Sequence, residues 1–563
     1  MEDLAVTPSR SLYKIAGSIQ RVSDTSVIVQ HGHVGTPAIA GNGAMQRVLH
    51  EEALVYGIVE SLVKSYTKGN HQPPDTAKQL VRVALTCKDW FHPAIDSLWR
   101  TFHNLPALVL LLIPENLRGV LNTPETQYMY IWETYFANPV HGRLHPQFLI
   151  FRFYAGWIRT LRMSGTDFTT PVFSMLGRLY DADVLFPALQ SVDWSDGVAD
   201  ISNNALRTFG LICRAPLISS LVINVNNADK EPDMKDRMLE QTCVLLEKAA
   251  SYAPELTALT VVGPRGIALP ISFLASFSQL EDVNVQINLK VPESLPLPLP
   301  PKANSNGGLP LQTLFLSWTI STDLVYILHI ANFSNLRSLT LTADDHPPIT
   351  FLEQIQKLGK YTTLSLVHLR IVAGIHFPVT IEGINFANVI EPFLECSAME
   401  DVCIQLPSFS MPFLADDFQR MLDAWHGLTS LDVTFTVPDS HGHPDLRSVI
   451  HESSRICPKL SLLHLPAIAT YRHVDQHFNL QIPSSPHTLC FSSDLIFLEH
   501  HPLDVAYRIL KAFGYNPIRP MYVIGTYWAA VDTLVQAIQH KDRHTILRFG
   551  MSDWYFPWGH IPS

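Results

Sequence analysis

Charge is scarce in this sequence: Asp, Glu, Lys and Arg make up 16% of 563 residues, against 47% hydrophobic ones. That balance excludes a disordered chain and requires a large buried core, spread over more than one domain. Net positive charge is absent too. With a net charge of −11 and no long run of one sign, general nucleic-acid affinity is not expected. Cysteine is sparse and unpaired in pattern, with seven residues (87, 213, 243, 396, 403, 457 and 490) and no CxxC. An odd count without paired spacing argues against a disulfide framework and fits a reducing compartment, cytosol or nucleus. Long hydrophobic runs are missing as well. Leu105–Ile113 is far too short to cross a bilayer, and the N-terminus has no charged-then-apolar leader, so a soluble chain without a membrane partner is expected.

The motifs of common chemistries are also lacking: no P-loop, no GxSxG elbow, no kinase set, no zinc-finger cysteine pairs. The GNG at Gly41–Gly43 has neither the third glycine nor the preceding strand of a dinucleotide loop, and reads as a turn. Twenty-five histidines invite a metal reading. Yet His473 and His477, four apart, enclose no glutamate and show no third ligand, while His441 and His443 sit in a turn-forming DSHGHPD. Surface histidines explain the first pair, and metal binding at the second is equally unsupported. Cys87 lies in an apolar helical stripe, which predicts a buried, inert thiol rather than a nucleophile. No catalytic residue, metal ligand set or cofactor site is therefore assigned, and the chain is not expected to be an enzyme. A Ser/His/Asp site assembled only by folding stays as a third-ranked reading.

What is present begins at Leu80–Arg100, LVRVALTCKDWFHPAIDSLWR. Leu80, Ala84, Cys87 and Phe91 follow one helical face, Pro93 suits the first position of a new helix, and Ile95, Leu98 and Trp99 resume the stripe. The spacing predicts a tightly turned helix pair. A third helix is expected over 48–63, where Leu54, Ile58 and Leu62 recur four apart and Glu51 and Glu52 favour the N-terminus. Lys64–Ala77 reads as the loop between. Three such helices carry more apolar surface than so small a core needs.

The Leu-rich leading helix, then ALTCKDW (Ala84–Trp90), then IDSLWR (Ile95–Arg100) resembles the F-box motif, in the form common among fungal F-box proteins. The resemblance implies a module that docks the small SKP-type adaptor of a cullin-RING ubiquitin ligase, with the rest of the chain selecting a protein target. It offers Leu49, Ile58, Leu62, Leu85 and Trp90 as adaptor-facing residues, and leaves Cys87, Leu98 and Trp99 to internal packing.

From Trp157 the dominant signal is repetition. A hydrophobic residue, two variable ones, a hydrophobic, one variable, a hydrophobic: this text recurs from Ile158-Leu161-Met163 to Leu460-Leu463-Leu465 in eleven copies, one of them assigned to Leu364-Val367-Leu369. The first position advances from 158 to 460 in ten intervals, (460−158)/10, about 30 residues each. The final alternation predicts a short strand, and stretches such as 238–250, 413–425 and 446–456 predict the helices between strands. One such unit buries its inner face only by stacking on its neighbours. The expected fold is thus α/β: a three-helix F-box-like module, then a solenoid resembling irregular leucine-rich repeats, parallel strands on its concave face and helices on its convex one.

The domain reading is 1–44 a flexible lead-in, 45–105 the helical module, 106–156 a helical, aromatic-rich joint, 157–495 the repeats and 496–563 a helical cap with helices over 502–513 and 527–540. A last weak strand is expected over 486–491. Val291–Pro310, with six prolines, interrupts the repeats as a projecting loop, and its PxxP at Pro298–Pro301 is either a ligand for a proline-binding domain or chance in a Pro-rich segment. Two functions remain: substrate receptor of an SCF-type ubiquitin ligase, or a repeat scaffold with no ligase role whose helical module caps the first repeat. The identity of the target leaves no sequence motif.

Overall fold

A computed structural model describes residues 74–86, 88–103, 105–137, 139–163, 185–195, 203–225, 232–263, 268–290, 310–318, 335–343, 351–353, 355–356, 365–373, 379–380, 385–438, 442–468, 490–492, 495–496, 506 and 533–538. The lead-in, the helix expected over 48–63, the projecting loop except Pro310, and His441, His473 and His477 lie outside these residues. The chain divides into two compact units, Met1–Pro264 and Arg265–Ser563.

The first unit opens with two helices, α1 (Pro74–Thr86) and α2 (Lys88–Trp99). The first helix ends at Thr86 and the second runs through Pro93, so the pair does not divide at Pro93 as the stripe suggests. Thr86 Oγ1 donates to the Val83 carbonyl at 2.6 Å, occupying one of the end carbonyls of α1. Pro93 then sits inside α2, where its missing N–H removes one bond to the first turn and its ring is buried. Residues 74–77, read as loop, are helical because Pro74 suits the first helical position.

Strand β1 (Thr101–Phe102) follows at once, then α3 (Leu105–Val109), α4 (Glu115–Arg118), α5 (Pro124–Ile131), α6 (Pro139–Leu144) and α7 (Pro146–Ala155). Between α5 and α6 the backbone widens into a π-turn, Trp132–Phe136, closed by the Ala137 N–H on the Trp132 carbonyl at 3.0 Å. Here Tyr135 is buried and donates to the Leu112 carbonyl at 2.5 Å. Strands β2 (Thr160–Met163), β3 (Ser191–Ser195), β4 (Ser220–Asn224) and β5 (Ala258–Val262) add to β1 in parallel, in sequence order. Helix α8 (Asn203–Ile212) joins β3 to β4, and α9 (Pro232–Tyr252) joins β4 to β5. Helix α9 starts six residues before the expected Met238, from a proline at its first turn.

The rungs share one hydrogen-bond device. The carbonyl before each strand accepts two N–H groups from the next: Arg100 from Arg159 and Thr160, Arg159 from Gln190 and Ser191, Gln190 from Ser219 and Ser220. Alternate residues such as Leu161 and Met163, or Val192 and Trp194, are buried. A parallel strand with one face buried and an unvarying register is what a hydrophobic triplet repeated once per unit dictates.

The second unit continues in parallel and in sequence order over β6 (Asp282–Gln286), β7 (Thr313–Trp318), β8 (Ser338–Ala343), β9 (His368–Ala373), β10 (Asp401–Ser410), β11 (Ser430–Thr436), β12 (Leu462–His464) and β13 (Cys490–Ser492), and repeats the device from β6 to β12. Helix α10 (Phe386–Ile390) joins β9 to β10, α11 (Ala415–Ala424) joins β10 to β11, and α12 (Leu446–Ile456), capped by the Asp445 carboxylate, joins β11 to β12. Each unit is a solenoid-like repeat fold. One repeat is reframed: Leu369 pairs with Leu339 and Val402, so the triplet is Leu366-Leu369-Ile371, two residues later than Leu364-Val367-Leu369. All three of its members are buried, and Val367 is only half-buried. Among the described residues the last strand of the long sheet is Cys490–Ser492, starting four residues later than read, and a separate short parallel pair joins Ala467–Ile468 to Leu495–Ile496. Of the C-terminal stretch, Ala506 and residues 533–538 are helical, with Ala506, Leu534, Val535, Ala537 and Ile538 buried.

Candidate functional site

Of the five adaptor-facing residues offered by the motif, Leu49, Ile58 and Leu62 lie outside the described residues, and Leu85 and Trp90 can be placed. Helix α1 buries Leu80, Val81 and Ala84, while Leu85 turns outward and is 38% exposed. Trp90, in the first turn of α2, is half-buried. The inner side of α2 is Ala94, Ile95 and Trp99, with Leu98 half-buried. Cys87 lies outside the described residues.

The helix pair is fixed to the ladder by a buried charge that the motif reading passed over. Asp96 in α2 is fully buried; its carboxylate takes a hydrogen bond from Arg100 Nη2 at 2.5 Å and lies 3.3 Å from Arg159 Nη2. Arg100 and Arg159 supply the first two carbonyls of the rung device. A carboxylate without water is tolerated only where cations meet it, so α2 cannot rotate or lift away without stranding that charge. Aromatic packing continues the attachment. The Trp99 ring stacks on Phe102 of β1 at 5.0 Å and on Tyr154 of α7 at 4.4 Å between centroids. A lone carboxylate on the apolar face of IDSLW was the available sequence signal.

A second polar cluster lies in the other unit, at alternate positions of consecutive strands. Asp432 of β11 accepts from Gln405 Nε2 of β10 at 2.8 Å and from the Cys403 thiol at 3.7 Å, and meets His464 Nδ1 of β12 at 2.7 Å. Burial alone would raise this carboxyl, but the hydrogen bonds from His464 and Gln405 and the imidazole's charge outweigh it and hold the group below its ordinary value. Burial, then the Asp432 charge, push the Cys403 thiol up to about 12, against the opposing pull of Arg370. The carboxylate therefore stands between thiol and imidazole, whereas nucleophilic cysteine chemistry needs the imidazole beside the sulfur. What the cluster does is tie three rungs together. Its members sit one repeat apart, a column visible in sequence only once every strand is in register.

His443 is buried and its Nδ1 lies 2.9 Å from the Phe413 carbonyl, so it braces the turn before α12. Among the described residues no group of three His, Cys, Asp or Glu side chains is placed to hold a metal, and no helix is long and apolar enough to cross a membrane.

No protein-family model and no curated protein matches the chain. Among solved structures it is similar to the Rad7 and Elc1 complex in yeast, at 10% identity over 94% of this chain and 100% of that one, with a TM-score of 0.34. It is also similar to the Toll–Spatzle complex of Drosophila, at 13% identity over 60% of each chain, with a TM-score of 0.16. Neither TM-score reaches the level at which a likeness bears on fold or function.

Proposed function

We propose that this chain is the substrate-recognition subunit of an SCF-type cullin-RING ubiquitin ligase. The F-box-like module, residues 45–105, holds the SKP-type adaptor, and the leucine-rich-repeat-like ladder holds a protein target. The single observation that carries the reading is the helix pair with the ALTCKDW and IDSLWR text: its inner face is packed, Leu85 is left outside, and Asp96 fixes it to the first rungs. A docking module so attached sets the distance and angle between adaptor and target, which is the contribution expected of a receptor that performs no chemistry itself. Transfer of ubiquitin belongs to other subunits, and the chain works in cytosol or nucleus without a cofactor.

One observation favours the scaffold reading instead: α2 runs directly into β1, with Trp99 and Phe102 packed together, as a cap on the first repeat would. Co-expression with an SKP-type adaptor separates the two. The receptor reading expects the adaptor to co-purify with the full chain and to be lost with Leu49→Ala/Trp90→Ala, because such interfaces rest on a few large apolar anchors. Adaptor retained at wild-type level by the double variant, or never bound at all, rejects it.

A further inference from the structure

Helix α7 is apolar on two sides. Phe148, Phe151, Tyr154 and Ala155 are buried in the unit's own core. On the opposite side Leu149 is 51% and Phe153 43% exposed, four residues apart and so one above the other, with exposed Arg152 beside them. The Phe153 ring is held edge-on against Trp157 at 6.1 Å. A helix apolar all round is ordinarily buried all round or membrane-spanning, and at ten residues α7 is too short to span. Its outer stripe is a surface for something else.

Charge indicates what. From residue 134 to 166 there are four arginines and two histidines and no acidic residue, in a chain whose net charge is −11. Two of the arginines are spent internally, Arg159 on Asp96 and Arg162 on Asp193 at 3.1 Å. Arg143 and Arg152 are exposed and have no ion-pair partner among the described residues. We infer that the outer stripe of α7 docks an acidic amphipathic helix of a protein partner, its apolar side chains on Leu149 and Phe153 and its carboxylates on Arg152 and Arg143. The stripe is carried by α7 and not by the helix pair that bears Leu85 and Trp90, and the inference does not rest on the ligase reading.

The test uses the full chain and two dye-labelled amphipathic peptide helices with the same leucine stripe, one flanked by glutamates and one by lysines, followed by fluorescence anisotropy. The glutamate peptide binds and the lysine peptide does not; Leu149→Asp or Phe153→Asp weakens binding about tenfold or more, and Arg152→Glu turns the preference toward lysine. Unchanged thermal unfolding checks that these exposed substitutions leave the fold intact, with Leu149→Gln used where Asp disturbs it. Equal binding of both peptides, binding by neither, or binding indifferent to Leu149 and Phe153 overturns the inference. So does sedimentation showing a dimer that the variants dissolve, or binding only to vesicles of phosphatidylcholine and phosphatidylserine in equal parts.

Discussion

Asp96 and Arg159 lie 3.3 Å apart although one belongs to a helix of the N-terminal pair and the other to the turn before β2, with α3 to α7 between them in sequence. Their contact makes the helix pair and the ladder mechanically one piece.

Removing the carboxylate with Asp96→Ala leaves Arg100 and Arg159 facing each other across a vacated site. Both arginines are about two-fifths exposed and recover part of their hydration, so the expected loss is about 1.5–3 kcal/mol rather than the larger figure for a fully buried pair. Chemical denaturation of the variant measures it. A change within error of zero removes Asp96 from the attachment.

The depressed Asp432 carboxyl makes stability depend on acid. A group that holds its proton more weakly folded than unfolded stabilises the fold fully above its ordinary value of 3.8, and that contribution disappears as pH falls through the lower folded value. The melting-temperature gap between wild type and Asp432→Asn should therefore hold steady from about pH 6 to about pH 5 and close in stronger acid. A gap that widens on acidification contradicts the assignment.

Cys403, raised to about 12, should be alkylated by iodoacetamide far more slowly at mildly alkaline pH than an ordinary surface thiol. Asp432→Asn removes the neighbouring negative charge, so its alkylation should accelerate. Burial is the larger cause, so the acceleration is partial. Peptide mass spectrometry of the Cys403 fragment against time gives both rates.

The reframed repeat has its own test. Leu366 is fully buried and Val367 half-buried, so Leu366→Ala should cost about 2–5 kcal/mol and Val367→Ala well under half of that. Similar costs at the two positions would restore the earlier frame.

The sequence was most legible where a pattern repeats. Ten of the eleven triplets fall on the strands in the register their spacing gives, because every strand buries the same alternate residues. The exception shows the limit of alternation. LSLVHLRI reads equally well in two frames two residues apart, since a shift of two keeps each side chain on its face, and only pairing with Leu339 and Val402 chooses between them. The rung at Trp99 and Phe102 escaped the period altogether, since five helices separate it from the next strand.

The sequence by itself determined the α/β repeat class, through a hydrophobic triplet returning every 30 residues or so, and the helix pair, through its stripes. Tertiary structure decided where charges meet. Asp96 finds Arg159, and Asp432 finds Cys403 and His464, across gaps that no local spacing encodes, because ion pairs depend on distances in space that the stacking of rungs creates. The outer side of α7 is a matter of the same kind: its residues are apolar in both directions, and only the packing of the surrounding helices leaves one side uncovered.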